Sequence, residues 1–104
     1  MRKRTDLHEK LCEILGSRNV YFEPPENVKL KYPCIVYTFD GLHQIKADNK
    51  NYRTMGRYGI TVISTKIGVL MSPIAEKILE LSYANYGRHF DADGLAHDTL
   101  DIFF

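Results

Sequence analysis

Between Tyr32 and Ile63 two strong strand signals flank a long polar connection, and this arrangement limits the folds open to the chain. The first signal is Tyr32-Pro33-Cys34-Ile35-Val36-Tyr37-Thr38-Phe39 and the second is Tyr58-Gly59-Ile60-Thr61-Val62-Ile63. Cys34 to Asp40 is nearly continuously apolar, the pattern of a central strand covered on both faces. Arg57 to Ser64 alternates instead, with Tyr58, Ile60 and Val62 on one face and Arg57, Gly59 and Thr61 on the other. Compact domains usually join neighbouring strands by a short turn, so a loop this long is expected to carry function. It holds no nucleophile beside a base and no phosphate-cradling glycines. Its residues suit a surface that touches another protein.

The remaining elements fall around this pair. Leu7, Leu11, Ile14 and Leu15 recur at helical spacing, with Thr5 or Asp6 as cap and Gly16 as stop. Asn19 to Glu23 reads as a short strand ended by Pro24-Pro25, because consecutive prolines cannot continue a ladder. Gly41 breaks the next strand. Leu42 to Lys46 can extend as one arm of a hairpin turning at Asp48-Asn49, and Gly56 can kink or bulge the return. Ser72-Pro73 is a cap and first turn for a second helix, whose stripe is Ile74, Ala75, Ile78, Leu79 and Leu81. Tyr83 to Phe90 and Leu95 to Phe104 form a closing hairpin around Asp91-Ala92-Asp93-Gly94.

The predicted order is α-β-β-β-β-α-β-β, an α+β fold with a mainly antiparallel sheet and two helices packed on one face. Residues 1–104 make one domain, since a chain of this length has no room for a second core. Two strands carry apolar residues on both sides while the helices cover one, so neighbouring copies could cover the other.

Charge narrows the function classes. Fourteen basic against 13 acidic residues give a net charge of +1, whereas a domain gripping nucleic acid through phosphates is clearly basic. Locally the balance is uneven: Arg2, Lys3 and Arg4 open the chain, and Asp91, Asp93, Asp98 and Asp101 cluster near its end. These read as a solvated tail and a polar hairpin, or as opposite patches by which identical copies meet head to tail. The basic start could also touch DNA passively. Cys12 and Cys34 read as reduced, packed side chains rather than a disulfide. Met1-Arg2-Lys3-Arg4 resembles a basic leader, but Asp6, His8, Glu9 and Lys10 put charge where a leader needs an apolar run. No run of about 18 apolar residues occurs, so no membrane-spanning helix is expected.

Two groups of residues compete as a site. Asp91, Asp93, His97 and Asp98 could hold a divalent cation as part of a small metal-dependent enzyme. Asp-x-Asp-Gly is equally what a tight turn requires, and a calcium loop would need further acidic ligands and a terminal Glu. The turn is the preferred reading. His8, His43, His89 and His97 lie on separate elements, and none of the four serines stands in a Gly-x-Ser-x-Gly elbow. Catalytic residues, cofactors and metals are therefore not expected. The other group is Lys46, Asp48, Asn49, Lys50, Tyr52 and Arg53, mixed charges around one aromatic. It suits a mobile hairpin or a projecting arm that lies on a neighbouring subunit, with Tyr52 as anchor.

The chain resembles a family of small tailed-bacteriophage proteins, the tail terminators, tail-completion or head–tail joining proteins. The resemblance rests on Tyr32-Pro33-Cys34-Ile35-Val36-Tyr37, on Ala47-Asp48-Asn49 with Tyr52, and on Tyr58-x-Ile60-Thr61-Val62-Ile63. Val20-Tyr21-Phe22-x-Pro24-Pro25 and Arg88-His89-Phe90-x-Ala92-Asp93-Gly94-Leu95-x-His97-Asp98 extend it across nearly the whole chain from Leu7. Thr65 to Met71 departs from the family pattern in being more apolar. The resemblance implies a structural virion protein, a ring of typically six subunits that ends tail-tube polymerisation and joins the tail to the head connector. The partners so implied are further copies of the chain, tail-tube protein and neck proteins, with assembly in the host cytoplasm. Another neck component, an adaptor or stopper bound to the portal, is the alternative within that class.

Overall fold

The computed structural model describes residues 2–65, 72–81 and 84–104, apart from the side chains of Asn51 and Tyr52. Among these residues five strands form one sheet, β1 (Val20–Phe22), β2 (Cys34–Ala47), β3 (Lys50–Ser64), β4 (Ala84–Ala92) and β5 (Leu95–Phe103). Their order across the sheet is β1-β2-β3-β5-β4. Only β1 and β2 run parallel, and every other pair is antiparallel. The helices are α1 (Arg4–Leu15) and α2 (Pro73–Leu79). The class is α+β, as the sequence predicts.

Both helices lie on one face because every stripe converges there. Leu7 and Leu11 from α1, Ala75 and Ile78 from α2, and Ile35, Tyr37, Tyr58, Ile60, Val62, Leu100 and Ile102 from the sheet form one buried cluster. Period-two alternation sets this face: Tyr58, Ile60 and Val62 point into it from β3. On the other face Thr38, Arg57 and Asp101 are exposed. Phe90 stacks on His97 there at 4.8 Å, and the His43 ring meets Phe103 at 4.8 Å.

Several expectations are corrected. The order is α-β-β-β-α-β-β, with three strands rather than four before the second helix. Gly41 does not end a strand: at φ 133° it lets β2 run on past the extra residue Asp40, a bulge opposite the step from Tyr58 to Arg57. The connection predicted as a loop is thus the far half of a continuous hairpin. β2 is covered on both faces only over Cys34 to Tyr37, since Thr38 and Asp40 are exposed on the face where Cys34 is buried and Val36 half-buried. Helix α1 starts at Arg4, with Lys3 in the cap position and no side-chain cap from Thr5 or Asp6. Its end agrees with prediction, Gly16 taking φ 81° and donating its N–H to Cys12 O at 2.9 Å. Ser72 caps α2, its Oγ accepting from Ile74 N at 3.1 Å. Leu81 lies beyond that helix. The atypical stretch Lys66 to Met71, and Tyr83 of the closing hairpin, lie outside the described residues.

Candidate functional site

The hairpin of β2 and β3 outgrows the sheet that supports it. Strand β5 pairs with β3 only as far as Arg57, which faces Phe103, with one further backbone pair between Gly56 and Phe104. On the other side β1 accompanies β2 only from Ile35 to Tyr37. From Met55 outward the chain is a two-stranded ribbon, and the molecule measures 49 × 27 × 23 Å. Asp48 and Asn49 close its tip at φ 52° and 62° between the paired Ala47 and Lys50. Two central residues at positive φ make the primed turn that matches strand twist, and Asp and Asn tolerate it best among non-glycine residues.

The structure gathers the predicted interaction residues on this ribbon. Lys46, Asp48, Asn49 and Lys50 are exposed at the tip, with the exposed Arg53 a little nearer the body. Tyr52 is the extra residue of a second bulge, between the pairs Ile45–Arg53 and Lys46–Asn51. Its side chain, the expected anchor, lies outside the described residues. At the ribbon's base Leu42 is 56% and Phe39 41% exposed, and Phe39 sits edge-on to Tyr58 at 5.4 Å. A two-stranded ribbon alone is marginal in water. A partner surface would stabilise it.

The Asp91–Asp98 group converges only in part: Asp91 and Asp98 both face the His89 ring, and Asp93 and His97 lie apart from them. Asp93 sits in the hairpin turn at φ 54° beside Gly94 at 73°. His97 lies on the open face against Phe90, whereas Asp98 points into the helix-covered face and is 2% exposed. Among the described residues no three His, Cys, Asp or Glu side chains are placed to hold a metal ion. The Cys34 thiol is fully buried, and burial alone pushes its pKa up to about 11. Cys12 and Cys34 are both free thiols.

What the sequence reading missed is the network around Asp98. Its Oδ1 accepts from Tyr86 Oη at 2.7 Å and His89 Nδ1 at 2.7 Å, and its Oδ2 accepts from Ser72 N at 3.0 Å. One carboxylate thereby ties β4 and the start of α2 to β5. The other ring nitrogen of His89 faces Asp91 Oδ1 at 3.4 Å. Burial and the bond to Asp98 push the Tyr86 hydroxyl up to about 12. A cleft of about 290 Å³ lined by Pro33, Ser64, Pro73, Ile74 and Asp98 opens beside the network. Parity carried the missing signal: Ala96, Leu100 and Ile102 are core positions of β5, so Asp98 faces inward with them.

His89 gives the network a pH dependence. The hydrogen bond to Asp98 raises its pKa above 6.5 against the opposing effect of burial, and the charges of Asp98 and Asp91 add to the rise. A raised folded pKa means that protonation favours the fold. The contribution is full below the unfolded value and is lost as pH climbs through the folded one. Relative to His89→Gln, the parent's thermal midpoint should therefore fall between about pH 6 and about pH 8. A difference that stays flat across that window would mean that His89 does not titrate with folding.

Of the basic start, Arg2 lies over the Phe104 ring at 3.9 Å and Arg4 over Phe22 at 4.3 Å. Arg4 also donates to Tyr37 Oη at 2.9 Å. Among the described residues no helix is long and apolar enough to cross a membrane. No family model matches the chain, and neither a curated protein nor a solved structure matches it.

Proposed function

We propose that the chain is a structural subunit of a tailed bacteriophage, a tail terminator or tail-completion protein. Copies of it close into a ring that stops tail-tube growth and presents a second surface to the head connector. The observation that carries this reading is the ribbon built from Leu42 to Met55, which extends past the sheet and which, among the described residues, no strand of its own body flanks. A chain whose most extended element lacks cover within itself is suited to assembly. The motif resemblance supplies the phage context and the expectation of about six subunits, and closed head-to-tail association is the geometry by which such rings form.

Termination then works by competition of shapes. One face of the ring offers the tube the pairing surface that another tube ring would offer, and the other face does not repeat it. No bond is made or broken, and no cofactor is required. Light scattering on the purified protein, across concentration and with added tail-tube protein, tests the proposal. A discrete ring-sized species, alone or on tube ends, is expected. A monomer that ignores tube protein and instead binds portal rings would reassign the chain to an adaptor or stopper role.

A further inference from the structure

We infer that the ribbon of one copy docks along β4 of a second copy, with the Asp91–Asp93 turn receiving its basic tip. This deepens the assembly reading above and rests on it. Three independent features of the molecule converge on it.

The first is unpaired backbone. Beyond Asp40 no strand pairs with the outer edge of β2, and none pairs with the outer edge of β4, among the described residues. Open edges seek another strand. These two lie on opposite sides of the sheet, so they meet only between copies, and the resulting contact is heterologous and propagates until it closes.

The second is charge. Residues 41–57 carry Lys46, Lys50, Arg53 and Arg57 against Asp48, a formal +3 in a chain of +1. The rest of the chain therefore carries −2. Within 84–104 the exposed charges are Arg88 against Asp91, Asp93 and Asp101, again −2, because Asp98 is buried. Ribbon against ribbon repels, whereas ribbon against β4 attracts. A two-stranded ribbon also fits a DNA groove, but a polyanion would be repelled by the body behind it, and β4 offers the opposite sign on the same molecule.

The third is apolar surface. Leu42 and Phe39 are the exposed large hydrophobic residues at the ribbon's base. Half-buried Phe90 on β4, with the Arg88 guanidinium 5.0 Å from its ring, offers an apolar counterpart.

The test is charge reversal with sedimentation velocity at low salt, and thermal unfolding to verify each fold. Lys46→Glu with Lys50→Glu should weaken self-association roughly tenfold or more, and so should Asp91→Lys with Asp93→Asn. All four together should restore it, and amides in 42–47 and 84–92 should gain exchange protection on assembly. Asn is chosen at position 93 because it tolerates positive φ. If the parent assembles and ribbon reversal changes nothing, the docking is overturned while the ring reading stands. A parent that never self-associates refutes the docking, and recruitment by tube protein then decides the ring reading separately. If ribbon reversal abolishes binding to a short DNA duplex but leaves self-association intact, the ribbon is a nucleic-acid element and the docking is again overturned.

Discussion

Replacing Asp98 by alanine is expected to remove about 4 kcal/mol of stability, a large fraction of what a domain of this size has to spare. The carboxylate is 2% exposed and takes three donors, Ser72 N, Tyr86 Oη and His89 Nδ1. Alanine leaves all of them without an acceptor in a place that water reaches poorly, and each orphaned donor costs about 1–3 kcal/mol. Asp98→Asn should fall between the two. Its oxygen still serves Tyr86 and His89, but its amide group meets the Ser72 N–H donor to donor. Urea unfolding midpoints measure both. An alanine variant losing less than about 1 kcal/mol would show that solvent replaces the carboxylate, and the network would lose its role as a tie between α2 and the sheet.

Tyr37 should show a comparable loss by a different route. It is fully buried, its ring centroid 5.0 Å from Phe22 and 6.1 Å from Tyr58. Its oxygen accepts from Arg4 at 2.9 Å, and its hydroxyl donates to His8 Nδ1 at 2.7 Å. Burial, and after it the charge of Arg4, lowers the His8 pKa and keeps that ring neutral and able to accept. Tyr37→Ala removes a ring from the close-packed core and should cost about 3–5 kcal/mol. Tyr37→Phe keeps the ring and loses the two polar contacts, so about 1–2 kcal/mol is expected. The difference between the variants separates packing from hydrogen bonding. If both lost the same amount, α1 would be held by the Arg4 and His8 contacts, and ring packing would count for little.

Elements were legible where local chemistry and tertiary packing agree. Ser72-Pro73 starts α2 because the hydroxyl and the fixed φ of proline both serve a first turn. Tyr58, Ile60 and Val62 alternate because only one face of β3 meets the helices. The ribbon was obscured by its bulges. A glycine that stops a strand and a glycine that carries it past a bulge look alike in sequence, so Gly41 read as an end. The extra residue at Tyr52 reverses the parity of β3, which is why Asn51 to Met55 shows no alternation. The start of α1 lies at Arg4 because of contacts with Phe22 and Tyr37, 18 and 33 positions away, not because of a local cap. The buried carboxylate was hidden among aspartates of identical chemistry, and only its inward parity sets it apart.

The tip at Asp48-Asn49 leaves the reach of the ribbon free to vary. Side chains alternate with period two, so inserting two residues in each strand would return every existing residue to its own face. Each such step would lengthen the ribbon by about 7 Å while the body and its helices kept their packing. A single-residue insertion would instead invert everything beyond it. The reach of the ribbon is thus quantised, changing in discrete steps that leave the body unaltered.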